Sequence, residues 1–185
     1  DVMAYKEMGY LPEAVLNFLV RLGWSYGDQE IFSFDEMKDF FDPSDINKSA
    51  SIYNAEKLEW LNAHYIKNSS NDTLATLLEE YGVFLHPHDK KEILLDVLKE
   101  RAKTINELAT LVKGILETPT AYDDKAVKKA FKADAFAVLN AFAEKIDEAE
   151  ELHLPTDYHH QMETLVAEME IGFGKIGMPL RVALL

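Results

Sequence analysis

Two cations, Arg101 and Lys103, stand directly before a predicted helix start, where they could bind phosphate or a base edge. Thr104 and Glu107 have the spacing of a capping box, in which a hydroxyl and an acid three residues later close a helix N-terminus. Such a terminus favours anions through its unpaired N–H groups and partial positive charge, and arginine can bind bases through its planar fork. Solvated surface cations would give the same pattern, so both interpretations stay open here.

No catalytic constellation stands out elsewhere in the sequence. The chain has no cysteine, which excludes disulfides, thiolate metal sites and a cysteine nucleophile. His86 and His88 alternate at a predicted helix start and His159 and His160 are adjacent, so neither pair is expected to chelate a metal ion. No Ser/His/Asp set or carboxylate pair is apparent. The sequence therefore predicts a binding function, with no catalytic residue, metal or cofactor in this chain.

Charge is distributed unevenly along the chain. The net charge of −14 over 185 residues argues against nucleic acid as a bulk partner. Residues 90–132, however, carry ten Lys or Arg against seven Asp or Glu, and the stretches on both sides are acidic. A local positive patch on an acidic body can hold RNA while the rest suppresses non-specific contact. One face of a predicted helix there carries a basic stripe, either phosphate-binding or merely solvated: Lys125, Lys128, Lys129 and Lys132.

Apolar residues recur at helical spacing along most of the chain, which predicts an all-α fold. The hydrophobic content of 48% is sufficient for a core, and no apolar run is long enough to span a membrane. Trp60 is expected in the core because large aromatic side chains are mostly buried, and Phe136 is expected to face inward. Besides Thr104, the predicted helix caps are Ser33, Asn54, Asp72, Asp123 and Asp134.

A polar, turn-rich stretch at residues 67–72 is the best linker candidate. It predicts two parts, residues 1–68 and residues 69–185. The chain opens Asp1-Val2-Met3, with neither a start methionine nor a signal peptide, and is interpreted as a piece of a longer protein.

Three segments resemble the bacterial glutamyl–tRNA synthetases of class I. They read GYLPEAVLNFLVRLGWSYGDQEIFS, SASIYNAEKLEWLNAHYI, with a K-L-x-W-x-N core, and IGFGKIGMPLRVALL, with a G-x-G-K-x-x-x-P-L-R pattern. The resemblance is weaker over residues 67–170 but continues in order. It implies that residues 1–68 form a stem-contact subdomain. Residues 69–185 would form a helical-cage anticodon-binding domain that stops before the family's last helical segment.

The same resemblance implies roles for particular residues. Arg101, in R-x-x-T, and Arg181, in P-L-R, match family residues that contact the anticodon. Four lysines are expected to contact the tRNA backbone: Lys48, Lys57, Lys103 and Lys175. ATP and Mg²⁺ would be bound by a catalytic part outside this chain, which alone should be inactive.

The resemblance also implies a biological setting. The chain would serve an ATP-dependent glutamate–tRNA ligase, with glutamate tRNA as its partner, as a monomer in the cytoplasm and without membrane contact. A repurposed helical protein-interaction module, with no part in tRNA charging, is the alternative. Whether glutamine tRNA is also charged stays open.

Overall fold

The computed structural model describes residues 2–47, 52–86, 88–149 and 151–185. Their regular structure is helical, and an isolated bridge between Tyr26 and Gln29 is the only extended pairing among them. The predicted all-α fold is confirmed. The helices are α1 (Val2–Glu7), α2 (Pro12–Gly23), α3 (Phe34–Phe40), a 3₁₀ turn (Pro43–Asp45), α4 (Ala55–Asn68), α5 (Asn71–Glu79), α6 (Lys91–Leu98), α7 (Ile105–Leu116), α8 (Asp124–Ala130), α9 (Ala135–Asp147), α10 (Pro155–Glu168) and α11 (Gly174–Leu184).

Backbone contacts divide the chain into two compact units, one ending at Lys113 and the other beginning at Gly114. The predicted boundary between residues 68 and 69 lies inside the first unit, where Leu61 and Leu74 belong to the same core. The functional division into a stem-contact part and an anticodon-binding part therefore does not coincide with this packing, and it stays a prediction.

The core of the first unit is formed by the apolar faces of α2, α4, α5, α6 and α7. Leu58, Leu61 and Ile66 of α4 are fully buried there, and α4 packs against α2. Burying one such side chain contributes about 1.5–3 kcal/mol to the free energy of unfolding. A separate apolar cluster in the same unit consists of Trp24, Phe32 and Met37.

The second unit has a smaller core, in which α9, α10 and α11 surround Val138, Phe142, Leu165 and Ile176. Helix α8 packs against α11. The C-terminal segment rich in Gly and Pro is helical, and α11 continues through Pro179. Proline removes one i to i−4 hydrogen bond from a helix, and here the helix continues without it.

Most of the predicted helix caps are confirmed, Asp72 is wrong, and Asp134 occupies the N-cap position of α9 without a side-chain bond. Ser33, Asn54 and Asp123 each accept a hydrogen bond from a backbone N–H of the first helical turn. At α5 the hydroxyl of Ser70, not the carboxylate of Asp72, accepts from the N–H of Thr73 at 3.1 Å.

Two aromatic residues predicted to be buried lie on the surface instead. The exposed fraction is 50% for Trp60 and 66% for Phe136. Trp60 lies two positions from the buried Leu58, and Phe136 lies two positions from the buried Val138. Successive helical residues are about 100° apart, so each aromatic side chain points about 200° away from its buried neighbour, to the opposite side of the helix. Helical position therefore decides the burial of these side chains, although their size favours the interior.

Candidate nucleic-acid interface

The turn that carries Arg101 joins α6 to α7 and is closed by the predicted cap. The Oγ1 of Thr104 accepts from the N–H of Glu107 at 3.2 Å. The Glu107 carboxylate accepts in return from the N–H of Lys103 at 2.7 Å. The capping prediction for Thr104 is thus confirmed, with the carboxylate reaching the residue before the cap.

A distant segment of the same unit covers the start of α7. The N–H of Ile105 donates to the carbonyl oxygen of Gly9 at 2.9 Å. Gly9 has φ +83°, and a Cβ added there would lie 2.7–2.9 Å from atoms of Ile105 and Asn106. Gly9 lies against this terminus, and the N–H groups of Ile105 and Glu107 are already bonded, so these two groups are not available to a phosphate. A phosphate or base edge at Arg101 and Lys103 stays a prediction.

Asn62, which is fully buried, fixes this junction from α4. Its Nδ2 donates to the carbonyl oxygens of Gly9 at 3.2 Å and of Lys103 at 2.6 Å. Its Oδ1 accepts from the N–H of Leu11 at 2.8 Å. One amide side chain therefore satisfies three backbone groups and holds the Arg101 turn against the N-terminal segment.

Arg101 itself is exposed, and within the described residues its side chain has no hydrogen-bond or ion-pair partner. The neighbouring Glu100 is bonded to Lys67 instead, at 2.6 Å. The Arg101 backbone is anchored, because its N–H donates to the carbonyl oxygen of Leu98 at 3.0 Å. A rigid turn thus presents a guanidinium group that is available to a ligand.

Arg181 belongs to the second unit, where it lies exposed on α11. Its guanidinium group likewise has no partner among the described residues. The helix fixes its backbone, and its carbonyl oxygen accepts from the N–H of Leu185 at 3.0 Å. Each unit therefore carries one of the two predicted anticodon-reading arginines in an unpaired state.

The predicted backbone-binding lysines are in a different state, because those that the structure describes are ion-paired. Lys57 pairs with Glu30 at 2.6 Å, Lys103 with Glu59 at 3.1 Å, and Lys175 with Asp134 at 2.6 Å. Lys48 lies outside the described residues.

These ion pairs shift the pKa values of some of the groups that form them. Hydrogen bonding from Lys57, followed by that from Arg21, lowers the pKa of the Glu30 carboxyl group although partial burial opposes the shift. Hydrogen bonding from Lys175 lowers the pKa of Asp134 in the same way. Conversely, the hydrogen bond to Glu59 raises the pKa of Lys103. These lysines would have to exchange a protein carboxylate for a phosphate in order to bind RNA.

Unpaired cations are concentrated around α8. Half of the described cations without a partner lie within residues 125–132, and the full set is Lys90, Arg101, Lys113, Lys125, Lys128, Lys129, Lys132 and Arg181. The predicted stripe is only partly helical, because α8 ends at Ala130 and Lys132 follows in the turn before α9.

The described part of the chain contains no group of three His, Asp or Glu side chains that could hold a metal ion. His86 contacts Thr76 at 3.1 Å, and His159 lies 3.4 Å from Glu163. Among the same residues no helix combines the length and the hydropathy that crossing a membrane requires.

The chain belongs to the anticodon binding domain family, whose profile matches residues 33–185. The profile described as "tRNA synthetases class I (E and Q), catalytic domain" matches residues 1–60. The resemblance to class I glutamyl–tRNA synthetases is thereby confirmed.

The chain is also similar to several proteins named glutamate–tRNA ligase. Glutamate–tRNA ligase 1 of Sulfurimonas denitrificans is 65% identical, and glutamate–tRNA ligase 2 of Nitratiruptor sp. is 66% identical, over 185 residues. Both matches include the whole of this chain, which spans 40% of the length of either relative. The crystal structure of a glutamate tRNA ligase from Elizabethkingia meningosepticum matches with a TM-score of 0.87 at 30% identity, covering 98% of this chain and 36% of that one.

Sequence reasoning missed the two residues that position the Arg101 turn, Gly9 and Asn62. One signal was present, because Asn62 is the final residue of the K-L-x-W-x-N pattern. Its amide contacts residues 41 to 53 positions away, and helical periodicity carries no information about such distant pairs.

Proposed function

We propose that this chain is the tRNA-recognising part of an ATP-dependent glutamate–tRNA ligase. The observation that carries the proposal is the 65% identity to a glutamate–tRNA ligase along the entire chain. Membership of the anticodon-binding family supports a role in holding tRNA, not in the chemistry of charging. The longer protein would activate glutamate with ATP and Mg²⁺ in its catalytic part and transfer it to glutamate tRNA, acting as a cytoplasmic monomer.

In this proposal Arg101 and Arg181 read the anticodon. Both guanidinium groups are exposed, and within the described residues both are unpaired, so neither has to break an internal bond before it binds a base. Bases in an unstacked anticodon loop offer their edges and faces to arginine. The backbone of each arginine is anchored, which reduces the conformational entropy that is lost on binding.

The lysines Lys48, Lys57, Lys103 and Lys175 contribute backbone contacts in the same proposal. Because Lys57, Lys103 and Lys175 are ion-paired, binding a phosphate would release Glu30, Glu59 or Asp134. A surface ion pair is worth about 0–1 kcal/mol, and the loss of that pair offsets part of what the new phosphate contact contributes. We expect substitution of these lysines to weaken tRNA binding less than substitution of either arginine.

The experiment measures charging kinetics of the full-length protein that contains this chain. Arg101→Ala and Arg181→Ala should each cost about 1–3 kcal/mol in kcat/KM against the cognate anticodon, and much less against an anticodon-swapped tRNA. Arg→Lys should not restore the preference, because an ammonium group lacks the planar fork of guanidinium. Lys113→Ala is the matched control, since Lys113 is also an unpaired cation within the described residues.

Two outcomes would contradict parts of the proposal. A full-length protein that charges no tRNA with glutamate would favour the alternative, a repurposed protein-interaction module. Charging with an unchanged preference between the two tRNAs in both arginine variants would instead leave the ligase standing and remove the anticodon role of Arg101 and Arg181.

A further inference from the structure

The second unit carries a dense group of free positive charge on an otherwise acidic body. Residues 114–185 contain seven Lys or Arg against thirteen Asp or Glu. Four of those seven cations stand within residues 125–132, a stretch with no acidic residue. Their ammonium groups have no carboxylate partner among the described residues. This unit therefore has a local group of lysines whose ammonium groups are not ion-paired within the described residues.

Part of this group of lysines borders an open pocket of about 450 Å³ at the end of α8 and the start of α11. Lys129, Lys132 and Lys175 contribute to its wall. Asp134 is the one carboxylate in the lining, and it is bonded to Lys175 at 2.6 Å. Lys129 and Lys132 therefore border a concave surface whose one carboxylate is already bonded to Lys175, and their own unpaired ammonium groups suit a phosphate group of a bound ligand.

An exposed aromatic ring follows these lysines in the chain and contacts Phe131, the residue directly before Lys132. Phe136, at the start of α9, is 66% exposed. Its ring packs on Phe131, with the ring centroids 5.3 Å apart and the planes tilted by 49°. Phe131 is half-buried, so it supports Phe136 from the protein side and leaves much of the Phe136 ring to solvent. A supported, exposed ring is a platform on which a base can stack.

Lysines beside an exposed aromatic ring match the chemistry of single-stranded nucleic acid. Positive side chains follow the phosphates, and aromatic rings stack on bases whatever their sequence. An acidic peptide could use the lysines but would leave the aromatic ring without a partner. The acidic remainder of the unit would in turn repel a strand that strays from these lysines.

We propose that Lys128, Lys129, Lys132 and Phe136, together called the α8–α9 corner, bind a single-stranded stretch of RNA. One base stacks on Phe136 and the neighbouring phosphates contact the lysines. This inference rests on the proposed function, which makes tRNA the RNA in question. It adds a binding surface that is distinct in its residues from the two arginines and from the four lysines assigned above.

Two matched pairs of variants test the corner in the 185-residue chain. Lys128→Gln/Lys129→Gln is compared with Lys90→Gln/Lys113→Gln, which removes the same charge from unpaired lysines elsewhere. Phe136→Leu is compared with Phe84→Leu, because both rings are 66% exposed. Fluorescence anisotropy reports the Kd for a glutamate tRNA transcript at several salt concentrations, and circular dichroism verifies that each variant is folded.

The double lysine variant should bind the transcript about tenfold more weakly at low salt. It should also reduce the slope of log K against log salt by about 1.4, which is two contacts of about 0.7 each. Phe136→Leu should weaken binding about fivefold with the slope unchanged, because stacking is lost and charge is not. Both control variants should remain within about twofold of the original chain.

The failure of the corner can be distinguished from the failure of the proposed function. If the transcript binds and both corner variants behave like their controls, the corner is not an RNA site and the ligase proposal stands. If the original chain does not bind the transcript, the corner is not an RNA site, and if the full-length protein also does not charge it, the ligase proposal falls as well. A loss of affinity confined to the lysine variant would overturn the stacking role of Phe136.

Discussion

The two units of the chain use their positive side chains in opposite ways. In the first unit, eight of the eleven described Lys and Arg residues form ion pairs with carboxylates. In the second unit only two of seven do so, Lys145 and Lys175. Net charge is negative in both, so net charge does not explain the contrast. The pairing state of individual cations, which net charge hides, indicates where an anionic partner can bind.

The units also differ in how they are held together. The main core of the first unit joins residues from Leu11 to Val112, whereas that of the second has four buried residues, Val138, Phe142, Leu165 and Ile176. Stability increases with the apolar area that a unit buries. We therefore interpret the first unit as the stable scaffold and the second as the less stable part. The second unit carries most of the described Lys and Arg side chains that are not ion-paired.

The largest effect, a loss of stability, is expected where Gly9 contacts the start of α7 in the first unit. Gly9→Ala places a Cβ within 2.9 Å of backbone atoms at the start of α7, and φ at this position is +83°. We expect a loss of about 3 kcal/mol or more in the free energy of unfolding, because strain and a backbone clash act together. Gly82→Ala is the control, since Gly82 has φ +75° but open space around it. Urea unfolding of both variants gives the comparison, and equal losses would show that the contact at Gly9 is unimportant.

The next effect concerns the relative stability of the two units. The segment at residues 117–123 lies between α7 and α8 and is largely exposed, whereas Ser69 and Ser70 between α4 and α5 are held by hydrogen bonds. Limited proteolysis should therefore cut within residues 117–123 before it cuts at the linker predicted from sequence. Amide exchange in α9 and α10 should be about tenfold or more faster than in α4 and α7. First cuts at residues 69–70, or equal exchange rates, would reverse the interpretation of scaffold and less stable part.

The smallest effect is expected at Glu30, which binds Arg21 at 3.0 Å and Lys57 at 2.6 Å. Because the folded state lowers the pKa of Glu30, its stabilisation is present above the usual carboxyl pKa of about 4.3 and is lost as pH falls further. Glu30→Gln should cost up to about 1 kcal/mol at neutral pH and almost nothing near pH 3. Thermal unfolding across this range measures the difference. The exposed pair of Asp35 and Lys38 is the control, and an equal loss in Asp35→Asn would argue against a special role for Glu30.

Local features of the fold were predictable from the sequence, and long-range ones were not. Helical spacing gave the all-α fold, and side-chain chemistry gave the caps at Ser33 and Thr104. Trp60 was predicted wrongly because residue type was weighed above helical position. The ion pairs of Lys103 and Lys57 join residues 44 and 27 positions apart, so the sequence alone could not distinguish paired from free cations. The roles of Arg101 and Arg181 stay predictions, and the exposure of Phe136 could not be foreseen from its residue type.

The amide of Asn62 also has a consequence for the order in which the chain acquires its structure. Its partners lie 51, 53 and 41 positions away, at Leu11, Gly9 and Lys103. Contacts of such separation form slowly, because a long loop must close before they stabilise anything. During synthesis on a ribosome, Asn62 emerges after Gly9 and Leu11 but well before Lys103, so its last polar partner is missing when α1 to α4 have been made. The turn that presents Arg101 is completed only when the polypeptide has been made beyond it, so only chains whose first unit has finished folding hold the Arg101 backbone in this conformation.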